Sequence, residues 1–67
     1  PVDSSYKLIM AKGERLYEES TGKIRELLDY NLQVFEDILN RQDDHEIEEA
    51  AKKLKMIFVQ IEQMKEF

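Results

Sequence analysis

The chain contains no cysteine and no tryptophan, only one proline, and only two glycines among its 67 residues. Without cysteine it can form neither a disulfide nor a thiolate metal site. Because helix-breaking residues are so few, and Glu, Lys, Leu, Ile and Ala so frequent, the composition favours helices. A chain this short buries only about 60% of its unfolded surface, so it needs a metal, a partner or very regular helix packing to stabilise it, and the composition favours helix packing.

The chain also lacks a surplus of positive charge, since 10 Lys and Arg face 15 Asp and Glu, for a net charge of -5. An acidic surface repels nucleic-acid phosphates and anionic lipids, so we expect neither a nucleic-acid partner nor a membrane partner. No apolar run approaches the ~20 residues that span a bilayer, and no signal peptide is apparent. We therefore expect a cytoplasmic protein.

Apolar residues recur with a helical period in three segments, which predicts helices near residues 5–19, 22–41 and 44–66. The first stripe contains Tyr6, Ile9, Met10, Gly13, Leu16 and Tyr17. The second contains Ile24, Leu27, Leu28, Asn31, Phe35, Ile38 and Leu39. The third contains Ile47, Ala50, Ala51, Leu54, Ile57, Phe58, Ile61 and Met64. Short connections favour antiparallel neighbours, so we predict an all-α fold, an antiparallel up-down-up three-helix bundle forming a single domain over residues 1–67. Because the chain starts without Met and stops directly after a helical pattern, we interpret it as a fragment of a larger chain; processing or trimming would leave the same ends.

Two stripes contain a residue that is not apolar. Gly13 lies in the middle of the first, where glycine costs about 1 kcal/mol relative to alanine. It is either tolerated or needed for the close approach of a neighbouring helix, and we favour close approach. Asn31 lies in the second and is expected to be a hydrogen-bonded structural residue. Leu32 and Val34 flank that stripe, each about 80° from its centre, so the apolar arc is wide enough to touch two neighbours.

Both predicted connections carry helix-end signals. In the first, Gly22 can take the left-handed conformation that ends a helix, and Ser20 or Thr21 can cap the next one. The second lies in the stretch NRQDDHEIEEAAKKL, where Asp43 precedes Glu46 by three residues. This spacing predicts a structural capping box, in which the Asp43 carboxylate accepts from the Glu46 N–H and the Glu46 side chain reaches back to the Asp43 N–H.

The same stretch surrounds the only histidine, His45, with carboxylates, which makes it a candidate metal or catalytic site. The pair His-Glu begins like the His-Glu-x-x-His of zinc proteases, but Glu49 stands where the second histidine is needed. The carboxylates fall instead in the first turns of a helix, where the dipole favours them by about 0.3–1 kcal/mol each. Glu48–Lys52 and Glu49–Lys53 have the spacing of ion pairs. We predict no metal site, no cofactor and no catalytic residue, since a phosphate loop and an activated nucleophile are also lacking.

A few apolar residues lie off the third stripe. Met56, Val59 and Phe67 lie on the far side of the third predicted helix, interleaved with Gln60 and Gln63. Isolated exposed apolar residues are ordinary, but a line of them indicates a contact surface. We expect this candidate partner face to dock against another part of a parent protein or against a second copy.

Four segments, taken in order, carry a family pattern: LIMAKGERLYEES (8–20), IRELLDYNLQVFEDIL (24–39), RQDDHEIEEAAKKL (41–54) and IFVQIEQ (57–63). Asp43 stands at the helix-capping position of this pattern. Ile47 follows it by four residues, and Ala50 and Ala51 follow it by seven and eight residues. This order resembles the C-terminal helical lid of the Hsp70/DnaK molecular chaperones. Arg41-Gln42 replaces the family's Gly-Glu, and a short first connection replaces its longer proline-containing loop. The resemblance therefore implies a divergent member.

The resemblance implies a lid subdomain that covers bound peptide and slows its release in response to ATP bound upstream. Catalysis and ATP would then belong to the parent chain. The implied partners are the upstream peptide-binding domain of the same chain, unfolded client polypeptides indirectly, and a second copy in a weak homodimer. From the residues alone, the alternative is a free-standing helical interaction or homodimerisation module. A third hypothesis, a metal-dependent enzyme fragment, rests on the acidic cluster at 43–49.

Overall fold

The computed structural model describes residues 4–64 of the chain. It contains three α-helices, α1 (Ser4–Glu19), α2 (Gly22–Arg41) and α3 (Asp44–Met64), and no strand in that range. The all-α three-helix bundle that the periodicity predicts is therefore confirmed. The positions 65–66, where the third helix is predicted to end, lie outside the described residues.

Contacts at both ends of α1 and α2 place these helices in opposite directions. Near the start of α1, the Tyr6 ring meets the Phe35 ring edge-on, with centroids 6.2 Å apart. Near its end, the Arg25 guanidinium lies over the Tyr17 ring, 4.2 Å from the centroid. A two-residue turn then reverses the chain between α2 and α3, and each helix contacts the other two.

The core is one cluster of apolar side chains enclosed by the three helices. Its largest fully buried side chains are Phe35, Phe58, Leu28 and Ile61. The other buried members of the cluster are Ile9, Leu16, Leu32, Ala51 and Leu54, and Ile47 is buried as well, outside this cluster. Each large side chain of this kind contributes about 1.5–3 kcal/mol when it is fully buried. The apolar stripes therefore locate the core, except at one margin of α2 and at the end of α3.

On α2 the buried face differs from the expected one. Leu32, expected at the margin of the stripe, is only 8% exposed, whereas Leu27, expected within it, is 44% exposed. The prediction for Leu27 is wrong because α2 is turned about its axis toward α1, which brings Leu32 inward and Leu27 outward. Met64, in the last turn of α3, is also half exposed.

Gly13 lies at a close contact of α1 with both other helices. It is buried, and a Cβ atom at this position would overlap Leu32 Cδ2 and would lie 3.0 Å from Phe58 Cζ. Side chains of α2 and α3 therefore occupy the space that an alanine methyl group would need. This finding confirms that the glycine permits close approach of the neighbouring helices.

We expect Gly13→Ala to lower the free energy of unfolding, although alanine is the better helix former by about 1 kcal/mol. The added methyl group must displace Leu32, and overpacking a core costs about 1–3 kcal/mol. In a Leu32→Ala background only the contact with Phe58 Cζ at 3.0 Å remains, so the same change should be less destabilising. Urea denaturation of the four variants measures both effects. An equal effect in the two backgrounds would contradict the close contact.

The connection between α1 and α2 differs in detail from the expected cap. Thr21 precedes α2 in an extended conformation, but its side chain makes no capping hydrogen bond. The Ser20 hydroxyl donates instead to Leu16 O at 2.6 Å, which satisfies a carbonyl in the last turn of α1. Gly22 has the expected left-handed backbone, with a φ of 60°, but it is the first residue of α2 and does not end α1.

Gln42 ends α2 in the left-handed conformation, with φ 59° and ψ 29°. Its N–H donates to Leu39 O at 3.2 Å, so the turn satisfies a carbonyl at the end of the helix. This conformation costs a residue that has a Cβ atom about 1–2 kcal/mol. The turn therefore carries strain that a glycine would remove.

We expect Gln42→Gly to raise the free energy of unfolding by about 0.5–1 kcal/mol, because the relief of strain exceeds the extra entropy that glycine loses on folding. Gln42→Ala keeps the Cβ atom and should give no gain. Thermal and urea unfolding of both variants measure the difference. Equal stability of the glycine and alanine variants would refute the strain at this turn.

Candidate interaction surfaces

The acidic stretch forms the start of α3. Asp43 precedes the helix, and its Oδ1 accepts a hydrogen bond from the Glu46 N–H at 3.0 Å. Its main-chain oxygen accepts from the Ile47 N–H at 2.9 Å. Asp44 and Glu46 lie in the first turn, where the helix dipole favours negative charge. The geometry of these carboxylates is therefore that of a helix start.

The Glu46 side chain has a different partner from the expected one. Its Oε2 accepts from Arg41 Nη1 at 2.7 Å, instead of reaching back to the Asp43 N–H. Arg41 lies in the last turn of α2, so the pair joins the end of one helix to the start of the next. The Arg41 side chain is well exposed to water and the Glu46 side chain partly exposed, and such a pair contributes about 1 kcal/mol at most.

Two further carboxylates of the stretch share one lysine. Lys52 Nζ lies 3.7 Å from Glu48 and 3.5 Å from Glu49, so Glu49 pairs with Lys52 rather than with the expected Lys53. All these side chains are exposed, and His45 beside them is exposed as well. Among the described residues, no three His, Cys, Asp or Glu side chains come together in a group that could hold a metal ion.

We expect Asp43→Ala to lower the free energy of unfolding by about 0.5–2 kcal/mol, because the Glu46 N–H loses its acceptor. Asp43→Asn keeps an acceptor oxygen and should stay within a few tenths of the parent value. Asp44→Ala removes a charge from the same turn and leaves the cap, so it should cost about 0.3–1 kcal/mol at most. Urea denaturation compares the three. If Asn and Ala at residue 43 were equally destabilising, charge rather than capping would account for the effect.

The candidate partner face on α3 is exposed where the structure describes it. Met56 is 65% exposed and Val59 is 50% exposed, and Gln60 and Gln63 beside them are exposed as well. Phe67, the third apolar member of this face, lies outside the described residues. The described part is therefore a small apolar surface that is interrupted by polar amide side chains.

A second exposed apolar surface lies on α2, and the apolar stripes of the sequence do not predict it. Leu27 is 44% exposed, Tyr30 68% and Val34 37%. Their spacing of three and four residues places them on one side of the helix. This spacing is visible in the sequence, but it is obscured when Leu27 is assigned to the core and Tyr30 to no stripe.

A cleft of about 290 Å³ lies between α2 and α3 beside this second surface. Its apolar lining comes from Val34, Phe35, Ile38, Ala50, Leu54 and Ile57. Asn31 also lines it, and its Nδ2 donates to Leu27 O at 2.8 Å, which confirms the expected hydrogen-bonded role. Glu46, Glu49 and Lys53 supply charge in the lining. The cleft therefore extends the apolar surface of α2 toward α3.

No family model matches the chain, and it matches neither a curated protein nor a solved structure. Within the range 4–64, no helix is both long enough and apolar enough to cross a membrane. The fold and its surfaces define the class of protein: a small acidic three-helix bundle that carries exposed apolar surfaces on α2 and α3 and a single exposed leucine, Leu8, on α1.

Proposed function

We propose that this chain is the C-terminal lid subdomain of an Hsp70-type chaperone. The observation that carries the proposal is the capped turn between α2 and α3, together with the order of the four segments around it. Asp43 caps α3, and Ile47 and Ala51 are buried behind it. This arrangement agrees with what the resemblance implies for the start of the last helix.

A lid of this kind acts by its position rather than by chemistry. With Phe35 and Phe58 fully buried between the helices, the bundle moves as one body and needs no internal rearrangement to open or close. Covering a bound peptide lowers the dissociation rate of the peptide. ATP bound upstream sets the open or closed state. In this role the chain contributes a cover and its docking contacts, and catalysis belongs to the parent.

The mass of the natural polypeptide, measured by immunoblot of the source cells, is the first test. A lid predicts a product of about 55–70 kDa, which is several domains of about 100–200 residues each. The opposite result is a natural polypeptide with a mass near the 8.0 kDa of this chain. Such a product would leave no room for an ATPase domain and would contradict the proposal.

In a parent of that size, we expect deletion of residues 1–67 to speed peptide release about tenfold or more, because the cover is lost. ATP hydrolysis in the absence of peptide should be unchanged. Release of a fluorescent peptide and steady-state hydrolysis measure the two quantities. Unchanged release would contradict a lid.

In the intact parent, Met56→Lys with Val59→Lys tests whether the face on α3 docks the lid onto the peptide-binding domain. Faster peptide release by a variant that is still folded would show that this face makes the docking contact.

The alternative is a free-standing helical interaction module, and the exposed apolar surface of α2 favours it. Leu27, Tyr30 and Val34 form a face that an amphipathic helix can cover. This alternative predicts tight self-association, or capture of such a helix, by the isolated chain. It would replace the lid proposal if the natural product had a mass near 8.0 kDa.

A further inference from the structure

The exposed apolar surface of α2 belongs to a longer pattern with a charge at each end. Lys23, Leu27, Tyr30, Val34 and Asp37 follow one another at spacings of four, three, four and three residues, and all five are exposed. At about 100° per residue they span an arc of about 80°. This set of five residues, the outer stripe of α2, faces away from the core.

The outer stripe is complementary to itself when one copy is turned end for end. Tyr30 lies in the middle, with Lys23 seven residues before it and Asp37 seven residues after it. A two-fold axis at Tyr30 places Lys23 of each copy opposite Asp37 of the other, and it brings Leu27 to within one residue, about 1.5 Å along the helix, of the level of Val34. A parallel arrangement would set lysine against lysine and aspartate against aspartate, which is unfavourable.

We propose that two copies of this chain associate through their α2 helices, packed antiparallel about a two-fold axis at Tyr30. Association covers Leu27, Tyr30 and Val34, which are 44%, 68% and 37% exposed in one copy. It also forms two ion pairs between Lys23 and Asp37. The contact uses the same surface on both copies, as two-fold symmetry requires. Only the middle of one helix from each copy takes part, so we expect an interface near the roughly 1,200 Å² lower limit for stable complexes and therefore a weak dimer.

The charges of the outer stripe favour a second copy over an unrelated helix. A chain with a net charge of -5 attracts basic partners in general, and Lys23 would repel a basic helix laid along α2. The stripe carries one charge of each sign at opposite ends, which an antiparallel copy satisfies at both ends. Arg41, further along the same side of α2, is already paired with Glu46 at 2.7 Å.

This inference does not depend on the lid proposal, because a lid and a free-standing module present the same α2 surface. Its test uses the 67-residue chain alone. Failure of the dimer would therefore leave the mass of the natural polypeptide and the release of peptide as separate questions. Failure of the lid would in the same way leave the dimer standing.

Sedimentation equilibrium over a concentration series tests the dimer, with circular dichroism to verify that each variant is folded. The parent chain should show a reversible monomer–dimer equilibrium. Lys23→Asp and Asp37→Lys should each raise the dimer Kd about tenfold or more, because both ion pairs become like-charge pairs. The double variant should return to within about threefold of the parent Kd. An equimolar mixture of the two single variants should form a heterodimer, because opposite charges meet again at both ends.

Two control variants distinguish the effect of the outer stripe from the effects of net charge and of the face on α3. Lys55→Asp, on α3, changes the net charge by the same amount as Lys23→Asp. It should leave the Kd within about threefold of the parent value. Met56→Lys with Val59→Lys alters the face on α3 and should also leave it unchanged. The proposal is overturned by a parent chain that stays monomeric up to about millimolar concentration, or by single variants without effect. A double variant that fails to restore association, or loss of association only in the α3 variants, overturns it as well.

Discussion

The contact at Gly13 is the constraint on which the arrangement of the three helices depends. Because Gly13 has no Cβ atom, Leu32 from α2 and Phe58 from α3 both reach the same point on α1. Protein interiors are close-packed, so holding α1 further out would forfeit contacts with both helices at once. Because a bundle of 67 residues has only one small core, it has few other buried contacts that could compensate for that loss.

The same contact determines which face of α2 remains outside. With Leu32 turned toward α1, Leu27 and Val34 fall at the outer margin of the apolar arc, where they are 44% and 37% exposed. The arc of α2 is wider than two neighbouring helices can cover. The exposed apolar surface is therefore a consequence of how the core closes, and contact with another surface is the way to remove it from water.

The helices and the cap of α3 can be predicted from the sequence because periodicity and caps act over a few residues. The hydrogen bond from the Glu46 N–H to Asp43 is such a local feature, since it spans three residues. The rotation of α2 depends on its neighbour, and a pattern that treats each helix alone cannot rank Leu27 and Leu32 by burial. The partner of the Glu46 side chain is not predicted for a similar reason. Arg41 belongs to the preceding helix, and capping rules consider only the residues of one helix end.

The two exposed apolar surfaces suit different kinds of contact because their polar neighbours differ. Met56 lies about 180° around α3 from the buried Ile47 at about 100° per residue, and the apolar residues on that side alternate with uncharged glutamines. Such a face can seat on an unrelated surface without fixing an orientation by charge. The outer stripe of α2 is closed at its ends by Lys23 and Asp37, which favours one antiparallel orientation against itself. Because the two faces lie on different helices, docking through α3 would leave α2 open to a second copy, and neither contact would require the core to open.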